Sequence, residues 1–152
     1  MAFLSSMNIV SSGLTAQQLR LDIVAENVTN STTTRVEEGE GAYRRKMVVF
    51  EAETGRDGFR RAMARASSGM VPNNQVPGGV RVAQIVEDPS PMKLVYDPTH
   101  PDANEDGYVE MPNVDMVKEI ADAMAATQAF SSNVTMFNTM KTVVTDALQI
   151  GK

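Results

Sequence analysis

The sequence predicts an α+β fold in which two long terminal helices form a coiled-coil-like pair and a small, irregular β region lies between them. Three observations predict this fold. Apolar residues recur at alternating spacings of three and four at both ends, which is the period of one helix face. All seven prolines lie between residues 72 and 112. Short runs rich in β-branched and aromatic residues, which are typical of strands, also fall in the middle of the chain.

The first helix is predicted over residues 1–30. Its apolar face contains Phe3, Met7, Val10, Leu14, Leu21, Val24 and Val28, and only Gln17 interrupts the spacing. The following segment is rich in Thr and Ser, which favour helix ends, so the helix should stop near Asn30.

The second helix is predicted over residues 113–152. Its main apolar face follows the same spacing through Met116, Ile120, Ala123, Thr127, Phe130, Val134, Phe137, Lys141, Val144 and Leu148. Either Asn113 or Asp115 can cap its start, because both side chains accept hydrogen bonds from free backbone N–H groups. Gly151 stands where a helix stop is expected.

The middle region is predicted over residues 31–112. Its expected strands are Tyr43–Glu53, Gly79–Glu87 and Met92–Tyr96. Residues 54–78 are predicted to form a loop, with a possible short helix over residues 59–66 and a basic cluster of Arg56, Arg60, Arg61 and Arg65 that is more simply a solvated surface.

Composition argues against several classes of function. The net charge of −5 disfavours a nucleic-acid binder, which would carry a basic patch. No apolar run approaches the roughly 20 residues that cross a bilayer, and the N-terminal residues lack the basic start and apolar block of a cleaved signal peptide. The sequence has no cysteine and none of the common catalytic motifs. We therefore expect a structural protein rather than an enzyme, with no cofactor.

One segment leaves a rival function open. Residues 102–107 have the first ligands of a calcium loop, but Asn113 stands where the bidentate Glu is required. An Asx/Gly turn that joins two strands is the better interpretation, and a calcium- or ligand-binding module on a helical stalk is the alternative. His100, the only histidine, is more simply an exposed turn residue than a metal ligand.

The apolar faces of the helices allow two arrangements. They can pair within one chain, or they can bury their surface against other subunits. A second apolar face beside the first, through Met136, Met140, Val143, Ala147 and Ile150, is wider than one partner helix covers, and this favours assembly. The residues predicted to form subunit interfaces are Leu14, Leu21, Val24, Asn27, Val28, Asn30, Ile120, Phe130, Asn133, Val134, Phe137, Met140, Val144 and Leu148.

Several segments resemble the flagellar rod and hook axial family. Residues 12–21 (SGLTAQQLRL), with Asn27, Val28 and Asn30, resemble its N-terminal signature, and residues 127–133 (TQAFSSN) resemble its C-terminal element. Residues 43–46 (YRRK), 96–103 (YDPTHPDA), 107–109 and 111–114 are similar to the proximal-rod subunits of this family. Glu26, Thr29, Gln128 and Phe130 depart from the usual residues.

The resemblance implies a structural subunit of the flagellar basal-body rod. Its implied partners are copies of itself, other rod subunits and the flagellar type III export apparatus, without nucleic acid and without direct membrane insertion. It also implies a chain exported without signal cleavage to a rod that spans the periplasm, with terminal helices that become ordered as they dock.

Overall fold

The computed structural model describes residues 2–36, 41–53 and 78–150, with side chains from residue 5 onward. The elements are α1 (Ala2–Thr29), β1 (Lys46–Ala52), β2 (Val80–Glu87), β3 (Lys93–Tyr96), β4 (Tyr108–Met111) and α2 (Met116–Ile150). The predicted α+β class with two long terminal helices is confirmed. Residues 54–77 of the loop predicted over residues 54–78, with its short helix and basic cluster, lie outside the described residues.

The chain forms two compact units, and each contains part of both helices. The first unit comprises residues 1–17, 50–83 and 129–152, and the second comprises residues 18–49 and 84–128. Helices α1 and α2 therefore contribute to both units. The predicted division at residues 30 and 112 follows secondary structure and stays a prediction.

Local hydrogen bonds explain where α1 ends and where α2 begins. At the end of α1, the Asn30 backbone N–H and its Nδ2 group both donate to the Glu26 carbonyl oxygen at 3.0 Å. At the start of α2, Asp115 Oδ1 accepts a hydrogen bond from the Val117 N–H at 3.1 Å. Asp115 is therefore the N-cap of α2, and Asn113 is free for another role.

Strands β1 and β2 form a two-stranded sheet. Glu53 N donates to Gly79 O at 2.7 Å, and Asp88 N donates to Arg45 O at 2.8 Å. The end of β1 therefore lies beside the start of β2, and the start of β1 lies beside the end of β2, so the two strands are antiparallel. Strand β1 begins at Lys46 rather than at the predicted Tyr43.

Strands β3 and β4 form an antiparallel hairpin, with Val95 opposite Val109 and Tyr96 opposite Tyr108. Strand β4 was not predicted from the sequence, because only four residues separate Gly107 from Pro112. The turn between the strands depends on Asn104, whose Oδ1 accepts from the backbone N–H groups of Asp106 and Tyr108 at 3.1 and 2.8 Å. Gly107 has a φ of +79°, which favours glycine. The predicted Asx/Gly turn is confirmed.

Candidate subunit interface and its buried polar cluster

In the second unit, α1 and α2 are joined through the side chain of Asn27. It is only 1% exposed, and all four hydrogen-bonding positions of its amide are filled. Nδ2 donates to the Lys46 carbonyl oxygen at 2.9 Å and to Glu119 Oε2 at 3.0 Å. Oδ1 accepts from the Tyr43 hydroxyl and the Lys46 N–H, each at 2.9 Å. An amide satisfied in this way fixes the position of α1 against both α2 and the chain before β1.

A polar cluster comprises Asn27, Tyr43, Arg45, Glu119 and Asp122, and Glu119 is its charged centre. Its side chain is 0% exposed, and Oε1 accepts a hydrogen bond from Arg45 Nε at 2.6 Å. Arg45 Nη2 also lies 3.2 Å from Asp122 Oδ2, and Arg45 Nη1 lies 3.6 Å from Asp88 Oδ2. A buried carboxylate is costly unless it is paired and hydrogen-bonded, and here both of its oxygens have donors.

Further contacts through Asn113 and Asp122 hold Arg45 and α1 in place. The Arg45 backbone N–H donates to Asn113 Oδ1 at 2.8 Å, while Asn113 Nδ2 donates to the carbonyl oxygens of Asp88 and Ser90. Arg20 on α1 pairs with Asp122 on α2 at 2.9 Å. The segment before β1 is therefore bound to both helices of the second unit.

The cluster shifts the acidity of two of its members. Burial opposes the charge of Arg45, but the hydrogen bond and the negative charge of Glu119, with Asp122 and Asp88, raise its pKa above the usual value. Burial also raises the pKa of the Tyr43 phenol, and the nearby charges of Glu26 and Glu119 raise it further. Arg45 is therefore held as a cation and Tyr43 as a neutral donor.

In the first unit, α1 makes close contacts through small residues. A Cβ atom added at Gly13 would lie 3.0 Å from Asn133 Nδ2 on α2. Ser12 Oγ accepts the Val80 N–H at 3.0 Å, and a Cβ added at Gly79 would lie 1.9 Å from that oxygen. Gly13, a weak point for helix propensity, is therefore explained by the close approach of α2.

The face of α2 opposite the polar cluster is exposed and apolar. Val117, Ile120 and Met124 are 76%, 52% and 69% exposed, and spacings of three and four place them on one side of the helix. The buried residues of α2 are instead Glu119 and Ala126, which lie on the other side. Farther along α2, in the first unit, Val134, Met136, Val143 and Leu148 are also exposed.

The predicted interface residues fall into three groups. Val24 and Asn27 are buried within the chain, and Ile120, Val134 and Leu148 are exposed. The others are half-buried, namely Leu14, Leu21, Val28, Asn30, Phe130, Asn133, Phe137, Met140 and Val144. The structure brings Asn27 into the polar cluster and Asn133 against Gly13. The interface role of the whole set stays a prediction.

Three residues of the polar cluster were not predicted from the sequence as site residues, namely Tyr43, Arg45 and Glu119. The available signal was a spacing of four and three residues through Asp115, Glu119 and Asp122, which places acidic residues on one helix face. The complementary signal was the basic segment at Arg44–Lys46, which had been assigned to a strand.

Side chains in and beside the possible calcium loop at residues 102–107 contact other parts of the protein. Asp102 Oδ2 accepts from the Thr34 hydroxyl at 2.8 Å, and Oδ1 pairs with Arg35 Nη2 at 2.5 Å. His100 lies in the turn, and its Nδ1 accepts from the Asp102 N–H at 3.1 Å. Among the described residues, no group of three or more His, Asp or Glu side chains is placed to hold a metal ion.

Comparison with known proteins identifies the family. Residues 7–35 match the family described as "Flagella basal body rod protein", and residues 105–150 match "Flagellar basal body rod FlgEFG protein C-terminal". The "Flagellar basal-body rod protein FlgC" of Bacillus subtilis is 42% identical over 97% of this chain and 97% of its own length. The chain belongs to the FlgC family of flagellar basal-body rod proteins.

Other members of the FlgC family are similar over the full length. The proteins of that name from Borreliella burgdorferi and Salmonella typhimurium are 39% and 36% identical, over 99% and 100% of this chain and 98% and 100% of their own lengths. In this FlgC-family chain, the two matched segments carry Asn27 and Glu119, which meet in the polar cluster. Neither described helix has a stretch both long and apolar enough to span a membrane.

Removal of the buried carboxylate should destabilise the second unit strongly. We expect Glu119→Ala to lower the free energy of unfolding by about 3–5 kcal/mol, because Arg45 and Asn27 lose their buried acceptor. Urea unfolding of the isolated chain measures this. Glu105→Ala, at an exposed turn position, is the control and should change stability by less than about 0.5 kcal/mol. A Glu119→Ala chain as stable as that control would contradict the role of the cluster.

The raised pKa of Tyr43 predicts a loss of stability in alkali. The unfolded phenol loses its proton near pH 10, whereas the folded phenol keeps it, so the stability that Tyr43 contributes is complete below pH 10 and declines above it. The decline approaches about 1.4 kcal/mol per pH unit. Comparing urea unfolding of wild type and Tyr43→Phe from pH 8 to 11 tests this, since the variant should lack that part of the decline. Equal pH dependence in the two chains would argue against a buried, neutral Tyr43.

Proposed function

We propose that this chain is a structural subunit of the proximal rod, and that it assembles through its terminal helices into the drive shaft that transmits torque and surrounds the export channel. Membership of the FlgC family supports a place in the basal-body rod. The observation that carries the assembly role is the exposed apolar face at Val117, Ile120 and Met124. A contiguous apolar surface of this kind marks an interaction site.

The polar cluster, on the opposite face of α2, supports the same proposal. Intrachain contacts of the second unit engage the charged and small residues of α2, namely Glu119, Asp122 and Ala126. The large apolar residues are left for other molecules. A subunit of an open helical assembly needs this separation, because each copy must keep its own helix contacts while it binds neighbours.

The proposed partners are copies of this chain and other rod subunits, with the flagellar type III export apparatus acting before assembly. We propose that the chain is exported unfolded or partly folded, without signal cleavage. The last residues of α2, from Thr145 to Ile150, are all exposed, so they have few intrachain contacts to lose. We propose that they gain stable order only when they dock.

A charge on the exposed face should block assembly without unfolding the chain. We expect Ile120→Asp to leave the stability of the isolated chain within about 0.5 kcal/mol of wild type, because the position is exposed. The same change should prevent rod assembly and swimming, since a neighbouring subunit would bury an unpaired carboxylate. Electron microscopy of purified basal bodies and a motility assay measure both effects.

Ala125→Asp is the matched control. It introduces the same charge at an exposed position that is turned roughly 140° around the helix from Ile120 at 100° per residue. His100→Ala, in the turn before β4, serves as a second control. Both control strains should assemble rods and swim. Normal rods in an Ile120→Asp strain would overturn the proposed interface.

A further inference from the structure

The outer face of the β3–β4 hairpin carries apolar and aromatic side chains, although a solvent-exposed face usually carries polar ones. The register places Leu94 opposite Glu110 and Tyr96 opposite Tyr108 on this face. Leu94, Tyr96 and Tyr108 are 64%, 65% and 43% exposed, while on the other face Val109 is buried and Val95 is 45% exposed. A hairpin with one buried face should alternate with polar residues outward. Exposed tyrosines are typical of the central residues of protein interfaces.

The two tyrosine rings are held in place before any partner binds. Their centroids lie 5.3 Å apart at an interplanar angle of 66°, which is a favourable edge-to-face geometry. The Tyr96 ring also packs on the turn, since a Cβ added at Gly107 would lie 3.0 Å from Tyr96 Cε2. A surface with fixed aromatic side chains loses little conformational entropy on binding.

Unpaired carboxylates accompany the tyrosines. Glu110 lies on the same face, and Glu105 and Asp106 lie in the preceding turn. All three are exposed, and within the described residues none forms an ion pair. Tyrosine faces attract cations, and a carboxylate beside them suits the planar, bidentate guanidinium group. The hairpin therefore fits an arginine on a partner surface.

We propose that this outer face binds the Arg44 surface of a second copy of the chain. Arg44 is exposed, and within the described residues it has no ion-pair partner, whereas Arg20, Arg35, Arg45 and Arg81 are all paired. Its backbone is fixed on both sides, because Tyr43 N donates to Thr33 O at 3.1 Å and Arg45 N donates to Asn113 Oδ1 at 2.8 Å. The backbone around Arg44 is thus held in place, while its guanidinium group has no ion-pair partner in the described part of the chain.

The contact joins two different surfaces of the same chain. Such a head-to-tail contact can repeat from copy to copy. It uses neither the apolar face of α2 nor the polar cluster, so it adds a second association surface to the one in the proposed function.

A charge exchange tests this pairing in solution. Ile120→Asp is kept in every chain so that association through α2 does not contribute, and sedimentation equilibrium of the purified full-length chain measures self-association. We expect association in this background, its loss in both Arg44→Glu and Glu110→Arg, and its return when the two changes are combined in one chain. Added salt should weaken it. Absence of association in the background, or no recovery in the combined chain, would overturn the proposal.

Cross-linking tests proximity separately. The natural chain has no cysteine, so one chain with Thr32→Cys and another with Glu105→Cys contribute the only thiols, and both chains keep Arg44 and Glu110. Thr32 is exposed and adjoins Thr33, which is hydrogen-bonded to Tyr43. A short bismaleimide is suitable because long Arg and Glu side chains hold their backbones farther apart than a disulfide allows. A mixed dimer should form with this pair and not with the control pair of Thr32→Cys and Glu53→Cys. Equal yields from both pairs would contradict the contact.

Discussion

The buried carboxylate of Glu119 sets the main constraint on the second unit. A charge removed from water must find opposite charge and hydrogen-bond donors nearby, and among the described residues Arg45 and Asn27 provide them for Glu119. Arg45 comes from the segment before β1, and Asn27 comes from the last turns of α1. The Glu119 carboxylate therefore holds α1, the segment before β1 and α2 together. Its hydrogen bonds fix the positions of these three parts more closely than apolar packing alone would.

These polar contacts determine which face of α2 remains exposed. Because Glu119 and Asp122 contact α1 and Arg45, Val117, Ile120 and Met124 on the other side of α2 face outward. An apolar intrachain seam would have hidden the same residues. The fold of one chain and its capacity to assemble are consequently linked, since the residues that stabilise the second unit are different from those proposed to bind neighbours.

The sequence was sufficient for the helices and for most of the strands, because their periodic patterns are local. The end of α1 near Asn30, the start of β2 and the Asx/Gly turn at Asn104 all followed from residue chemistry. The cluster could not be predicted in the same way, because Asn27, Arg45 and Glu119 are far apart in sequence and their pairing depends on tertiary contacts. The apolar period of α2 was recognised correctly, but period alone does not say which face turns toward the chain itself. Strand β4 was too short for alternation to identify it.

The central claim is that the apolar face of α2 is open in the isolated chain and covered in the rod. Oxidation of methionine by hydrogen peroxide, followed by mass spectrometry, measures this directly, because the rate depends on access to the sulfur atom. Met116 and Met124 are both exposed in the chain, so they should be oxidised rapidly in the isolated protein. In purified basal bodies, we expect both to be protected. Equal oxidation of Met124 in the two states would contradict the account.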